Sequence, residues 1–360
     1  MTAGIRVQEN VALAPLTTLQ VGGAARFFVE AKTEQDIFAA LSFAEKRGVP
    51  IFVLGGGSNL LVSDAGFSGL VLKIGLRGIA FAKDKNEILL TAQAGEDWDS
   101  IVSLSVNKNL AGVECLSGIP GSVGATPVQN VGAYGQEVSE TISSVRVLDC
   151  ETKETANLTN AECGFAYRTS IFNSTHKNKF IVLNVTFRLK PNGQPLLRYA
   201  DLQRFFAEKK VEQPSLSEVR QAVLQIRAAK SMVICDEDEN RRSAGSFFKN
   251  TIVDLEKFAA IEAKARRLSL IDDKQNIPHF PTASDDRVKI PAAWLIEKSG
   301  FCKGYICGRV GISSNHTLAV INRGGATSNE VVEFVRQIQT QVKNIFDVEL
   351  QPEPIWLGFE

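Results

Sequence analysis

The sequence predicts an α+β protein of more than one domain, and three observations carry that prediction. Helical and strand periodicities alternate through the first half of the chain, a run of three glycines follows a short buried strand, and 360 residues exceed what one hydrophobic core usually serves. Thr33 to Arg47 reads as a helix: Thr33 is its N-cap with Asp36 three residues on, Ile37, Leu41 and Ala44 share one face, and Gly48 ends it. Pro50 blocks continuation. Ile51 to Leu54 follows as a buried strand running into Gly55-Gly-Gly-Ser-Asn59, and Gly69 to Ile74 and Ile88 to Ala92 read as further strands.

Val145 to Leu148 and Phe180 to Leu189 continue the strand-rich character before Pro191-Asn-Gly193 marks a turn, with a domain boundary expected between 190 and 230. The charged run Asp236 to Arg242 reads as a solvated loop or linker. From Ser328 to Ile345, Val331, Phe334, Val335, Ile338, Val342 and Ile345 recur at helical spacing behind a Ser328 cap, a stripe that belongs to a core.

Lysine plus arginine and aspartate plus glutamate balance at 40 each, so no global field attracts nucleic acid or an acidic membrane surface, and any anion must be met locally. No signal-peptide pattern opens the chain, and no window approaches the roughly 20 apolar residues that span a bilayer, so a cytoplasmic protein is expected. The cysteines at 115, 150, 163, 235, 302 and 307 form no C-x-x-C pair. Reduced, mostly buried thiols and no metal site are the expectation.

Three glycines after a strand let several backbone N–H groups face one concavity, which is how loops hold a pyrophosphate without lysine; a hairpin turn is the competing reading. The spacing is not the G-x-G-x-x-G dinucleotide fingerprint, because Leu60 and Leu61 stand where the third glycine and helix start belong, and no P-loop is present. Ser117-Gly-Ile-Pro-Gly-Ser-Val-Gly-Ala125 is a second glycine-spaced loop, followed by Gln129-Asn-Val-Gly-Ala-Tyr-Gly135. Together the loops suit a long phosphate-bearing cofactor. Further on, Ser243-Ala-Gly-Ser-Phe-Phe-Lys-Asn250 reads as a tight glycine-permitted turn, in which Phe247 and Phe248 anchor the segment and Ser246 faces outward.

With these stretches in hand, the chain closely resembles the bacterial UDP-N-acetylenolpyruvoylglucosamine reductases. The resemblance covers nearly the whole chain and rests on Leu16-Thr-Thr-Leu-Gln-Val-Gly-Gly23, Val53 to Leu61, Gly118 to Ala125, Tyr167-Arg-Thr-Ser-Ile-Phe172, Ala244 to Asn250 and Gln351-Pro-Glu353, in family order. It implies an α+β fold of the vanillyl-alcohol-oxidase type, with FAD-binding subdomains at 1–75 and 76–214, a substrate domain at 215–335, and residues 336–360 returning to the second subdomain. It implies noncovalent FAD held by Gly55, Gly56, Gly57, Ser58 and Asn59 on one side and by Gly118, Pro120, Gly121, Ser122, Gly124 and Ala125 on the other. His176, His279, His316 and Cys115 stand in no flavin-attachment pattern.

In the family's reaction NADPH reduces FAD, and the enolpyruvyl sugar nucleotide then receives hydride at C3 and a proton at C2. The resemblance assigns the proton to Ser246 and stabilisation of the enol-like intermediate to Arg168 and Glu353. Those roles suit the groups: a guanidinium meets a carboxylate through a bidentate fork, serine can act as an acid only in a dry site beside helpful neighbours, and a carboxyl near the substrate carboxylate would be pushed toward its protonated form. Substrate contacts are implied for Tyr167, Tyr199, Lys230, Asn250 and His316, although Lys230 alone reads equally as a cation closing a helix. A monomer is implied. Two stretches depart from the family pattern: the charged lead-in 236–242, and Thr169 where an acidic residue often follows the arginine. A sugar or alcohol oxidase of the same fold, reducing O2, and a non-catalytic flavin or sugar-nucleotide binder are the alternatives.

Overall fold

A computed structural model describes residues 5–272, 274–282 and 284–359. The chain forms two compact units: the described residues up to Val11, with Ala25–Gly57 and Phe67–Ile234, make the first, and Ala12–Ala24, Ser58–Gly66 and the chain from Cys235 make the second. The expected division at 75, 214 and 335 drew its lines elsewhere. Helix Leu216–Ala229 lies in the first unit, the boundary falls after Ile234, and residues 336–359 belong to the second unit.

The first unit holds two larger sheets beside the short antiparallel pair Gly132–Ala133 with Gln136–Glu137. One runs in the order Gln8–Ala12, Ala24–Ala31, Phe67–Ile74, Ile51–Leu54, and its last three strands are parallel, with Phe28 and Phe52 both opposite Val71. Helix α1 (Glu34–Arg47) connects two of these strands; Thr33 and Asp36 form the capping box, and Gly48 closes it at a left-handed φ of 61°. The second sheet is antiparallel, built from Thr155–Thr159, Ile142–Asp149, Phe180–Pro191, Glu87–Gln93 and Ile79–Asp84 in that order. Helix α2 (Trp98–Asn107) buries Trp98 at 5.4 Å from the Phe187 ring. Helices α3 (Ala200–Glu208) and α4 (Leu216–Ala229) share a smaller core of Leu202, Phe206, Val219, Ala222 and Val223 with Cys115.

The second unit pairs Ser243–Ser246 with Ala319–Asn322, and extends through Val310–Ile312 to Ile306–Cys307. A three-stranded sheet (Thr251–Asp254, Arg287–Ile290, Phe280–Pro281) and a parallel pair (Leu60–Val62 with Ile355–Leu357) complete it, with helices α5 (Leu255–Arg267), α6 (Ala292–Lys298) and α7 (Ser328–Phe346). The α7 stripe is core: Val331, Phe334, Val335, Ile338 and Val342 are buried, and Ile345 is partly so.

Three expectations meet a different structure. The α7 cap is Thr327, one residue before Ser328, because Thr327 and Glu330 form the reciprocal capping box while the Asp64 carboxylate accepts the Ser328 and Asn329 N–H groups at 2.8 and 3.0 Å. Only Cys115 and Cys163 are buried; Cys235 and Cys302 are exposed and the other two are half-buried, so the thiols are not mostly interior. The segment opening at Ser243 is a strand and not a turn, with Gly245 at φ 74° absorbing a bulge between Ser243 and Ser246. Among the described residues no helix is long and apolar enough to cross a membrane.

Thr327→Ala should lower stability by about 1 kcal/mol, as loss of an N-cap does, and Ser328→Ala by less. Urea unfolding followed by tryptophan fluorescence measures both, and the reverse order would move the cap to Ser328.

Candidate active site

In the first unit the two glycine loops touch through bare backbone. A Cβ on Gly56 would lie 2.7 Å from the Gly121 Cα, and one on Gly55 would lie 2.6 Å from the Ser122 Oγ. A Cβ on Gly124 would meet that of Ala94 at the same 2.6 Å. The second loop is tied down at both ends. Asp99 accepts the Gly118 N–H at 2.6 Å, and the Trp98 N–H bonds the Gly121 carbonyl at 3.0 Å. Gly118 and Gly121 take φ of 71° and 133°, values that exclude ordinary side chains. Ser58 and Asn59, at the end of the first loop, belong to the second unit, where the Ser58 carbonyl accepts the Thr18 hydroxyl and the Asn59 amide donates to the Glu353 carbonyl.

Beneath the second loop lies Arg227, a residue of α4 that no motif in the sequence marks. Its guanidinium is 5% exposed, donates to the Met232 carbonyl at 2.7 Å, and keeps a buried Nε with no hydrogen-bond partner. That Nε lies 3.4 Å from where a Gly118 Cβ would stand. Burial lowers the Arg227 pKa, with Tyr134 and Asp99 opposing the shift. Its neighbour Asp99 is gripped by Arg220 at 2.6 and 2.7 Å. Burial works to raise the Asp99 pKa, but Arg220 and the Gly118 N–H outweigh it and hold the carboxyl below its usual range.

Arg168 sits at the tip of a tight hairpin closed by Ala166 and Thr169, in the left-handed region at φ 53°. Few non-glycine residues adopt that conformation without a reason. Its guanidinium donates to the Gly132 carbonyl at 2.7 Å and stacks 5.4 Å from the Tyr167 ring centre. Buried Asn130 bonds the Ala166 carbonyl at 3.1 Å, so the hairpin is fastened to the Asn130–Gly132 backbone and needs no acidic residue at 169.

Tyr199 precedes α3, edge-on to Tyr134 at 5.4 Å, and Lys230 closes α4 with its ammonium 2.9 Å from Asp201. Burial pulls the Lys230 pKa down, but Asp201 prevails and the group stays above its ordinary value. The structure bears out the helix-closing reading of Lys230. Tyr134, with its pKa raised by burial, joins this cluster; its signal in the sequence was the Gly-Ala-Tyr-Gly turn, where Tyr134 holds φ of 50°.

In the second unit Phe247 and Phe248 are 0% and 2% exposed, with Ser246 half-buried beside them. The Glu353 N–H bonds the Phe247 carbonyl at 2.9 Å, and Phe248 bridges Pro352, so the chain carrying Ser246 and the chain carrying Glu353 are joined backbone to backbone. His316 Nε2 stands 3.4 Å from Ser246 Oγ. Asn250 commits its carboxamide oxygen to the Ala292 N–H at 3.0 Å, which starts α6. The charged run is less a free linker than expected, since Asn240 within it is buried and bonded to Ser314.

The two glycine loops lie within residues 25–156, which the family model described as "FAD binding domain" matches, so the protein is of the FAD-binding class. That described as "UDP-N-acetylenolpyruvoylglucosamine reductase, C-terminal domain" matches residues 237–357. The chain is 43% identical to the UDP-N-acetylenolpyruvoylglucosamine reductase of Thermobifida fusca over 97% of its own length and 98% of the relative's. It is 45% identical to that of Streptomyces coelicolor, covering 98% and 91%. The crystal structure of the Thermus caldophilus enzyme shares the fold, with a TM-score of 0.66 at 24% identity over 98% of this chain and all of that one. The chain belongs to the UDP-N-acetylenolpyruvoylglucosamine reductase family. Its residues fit FAD through Arg227, which keeps a buried Nε donor unspent beside Gly118 of the second glycine loop. Cys115 is buried, and burial, then Glu114, pushes its thiol up to about 12.

Arg227→Met keeps the side chain's bulk and removes its donors. The purified variant should lose FAD on gel filtration while retaining its circular dichroism, and full retention of the yellow chromophore would remove Arg227 from the cofactor site. For Asp99 the folded pKa lies below the unfolded one, so its stabilisation is complete above the unfolded value and is lost as pH falls through the folded one. Asp99→Asn should therefore be less stable than the parent at neutral pH, with the gap closing below about pH 4. A gap independent of pH, in unfolding curves across that range, would contradict it.

Proposed function

We propose that the protein reduces UDP-N-acetylglucosamine enolpyruvate to UDP-N-acetylmuramate with NADPH, in peptidoglycan precursor synthesis. The observation that carries the reading is the backbone bond from the Glu353 N–H to the Phe247 carbonyl, which joins the segment bearing Ser246 to the one bearing Glu353 in the second unit. Bound FAD supplies the two-electron link between NADPH and the enolpyruvyl group. The first unit holds the cofactor through Gly55–Gly57, the Gly118–Ala125 loop and Arg227 and contributes Arg168 to the substrate chemistry, and the second unit contributes Ser246 and Glu353. The reductase reading is preferred to an oxidase because an oxidase has no use for a serine acid.

The roles follow from charge. Hydride arriving at C3 leaves negative charge on C2 and the adjoining carboxylate, which Arg168 neutralises with a guanidinium that stays charged at any working pH. Ser246 then gives C2 its proton, and Glu353 hydrogen-bonds the enol-like carboxylate. Tyr167, Tyr199, Lys230, Asn250 and His316 face the sugar nucleotide. The protein acts as a cytoplasmic monomer.

Ser246→Ala should leave flavin reduction by NADPH nearly intact and slow the return of the flavin absorbance with the enolpyruvyl substrate by roughly 10²–10⁴-fold, the range for a lost general acid. Equal losses in both half-reactions would sink the assignment.

A further inference from the structure

Serine presents a chemical difficulty as the proton donor. A hydroxyl that gives up its proton becomes an alkoxide, and in a site closed to water that charge has nowhere to go unless a neighbour returns a proton at once. The neighbour in this structure is His316, whose Nε2 lies 3.4 Å from Ser246 Oγ.

The contact is built into the fold. His316 lies in the loop joining Val310–Ile312 to Ala319–Asn322, the strand that pairs with Ser243–Ser246. Ser246 stands opposite Ala319, and the Phe247 N–H bonds the Leu318 carbonyl at 2.7 Å, so the two chains run together up to the serine. The loop is pinned on both sides of the histidine. Buried Asn240 accepts the Ser314 N–H at 3.0 Å, and the hydroxyl of buried Thr317 donates to the Glu297 carboxylate. The Ala319 N–H then bonds the His316 carbonyl at 3.1 Å. A side chain on so constrained a backbone meets Ser246 by construction.

We propose that His316 is the proton source behind Ser246, a role that rests on the reductase reading above and deepens it. As C2 takes the proton from Ser246 Oγ, the O–H bond breaks and its electron pair stays on oxygen; the imidazolium Nε2–H passes its proton to that oxygen, and the neutral imidazole recovers one from solvent. Serine is unchanged after each turnover, and the net proton delivered to C2 comes from water. Imidazole suits the task because one ring can both carry a proton and release it to a neighbouring oxygen. The arrangement is the serine–histidine pair of nucleophilic catalysis run in the opposite direction, with histidine as acid and serine as conduit.

His316→Gln preserves a hydrogen bond to Ser246 but cannot ferry a proton, and His316→Ala opens a space for added imidazole. In anaerobic single turnovers of the NADPH-reduced holoenzyme with UDP-N-acetylglucosamine enolpyruvate, His316→Gln should slow oxidation of the flavin about 100-fold, the low end of general-acid effects. Flavin reduction by NADPH, which precedes the proton transfer, should be unchanged. Added imidazole should restore the His316→Ala rate at least tenfold, the order expected of a small-molecule acid replacing a positioned one. Independently of turnover, the imidazole ¹⁵N resonances of His316 should shift in Ser246→Ala protein. Wild-type speed in His316→Gln, no rescue, or unmoved resonances would each overturn the relay. Full speed in Ser246→Ala under the same conditions would instead overturn the reductase roles themselves, so the two failures are told apart.

Discussion

The first unit is organised around an approach of backbone to backbone that admits no side chain. Gly55 and Gly56 run against Gly121 and Ser122 so closely that any Cβ at either glycine would overlap the opposite loop. What remains between such loops is peptide dipole, and peptide N–H groups in that setting suit a pyrophosphate. Around this contact the fold places supports of decreasing intimacy: Asp99 on the Gly118 N–H, Arg220 on Asp99, and Arg227 beneath with one donor unspent. The charge balance of the whole chain makes such a local arrangement necessary, since no surface field exists to hold an anion.

The second unit answers a different demand, that of fixing small reactive groups relative to each other. Phe247 and Phe248 disappear into the core and carry Ser246 to its edge. Because Phe247 pairs with Glu353 and with Leu318 at once, one short strand fixes the serine against both the C-terminal turn and the loop bearing His316. Gly245, at φ 74°, permits the bulge that makes this possible. An ordinary residue there would pull the strand into regular register and turn Ser246 away.

Local signals were legible where one element decides the outcome. The Thr33–Asp36 box and Gly48 define α1 without tertiary help, and the α7 stripe declares its buried face. The cap of α7 was misplaced by one residue because Thr327 and Ser328 are both competent caps, and only the position of Glu330 and the Asp64 carboxylate separates them. The Ser246 motif was legible as chemistry but not as conformation: its bulged strand depends on a partner more than seventy residues away in sequence. Arg227 was invisible, since an arginine in an amphipathic helix looks solvated until the loop above it is known. The boundaries of the two units are not announced in the sequence for the same reason. Short pieces such as Leu60–Val62 join a distant unit through pairing with Ile355–Leu357, which no composition shift announces.

The central claim is that this chain carries electrons from NADPH to an enolpyruvyl sugar nucleotide through FAD. It is tested most directly by mixing the wild-type holoenzyme with NADPH in the absence of oxygen, then with UDP-N-acetylglucosamine enolpyruvate, while recording the flavin absorbance. The account predicts bleaching by NADPH, full return of the band with that substrate, and one equivalent of UDP-N-acetylmuramate formed per flavin. A band that returns only when oxygen is admitted would contradict it and identify an oxidase.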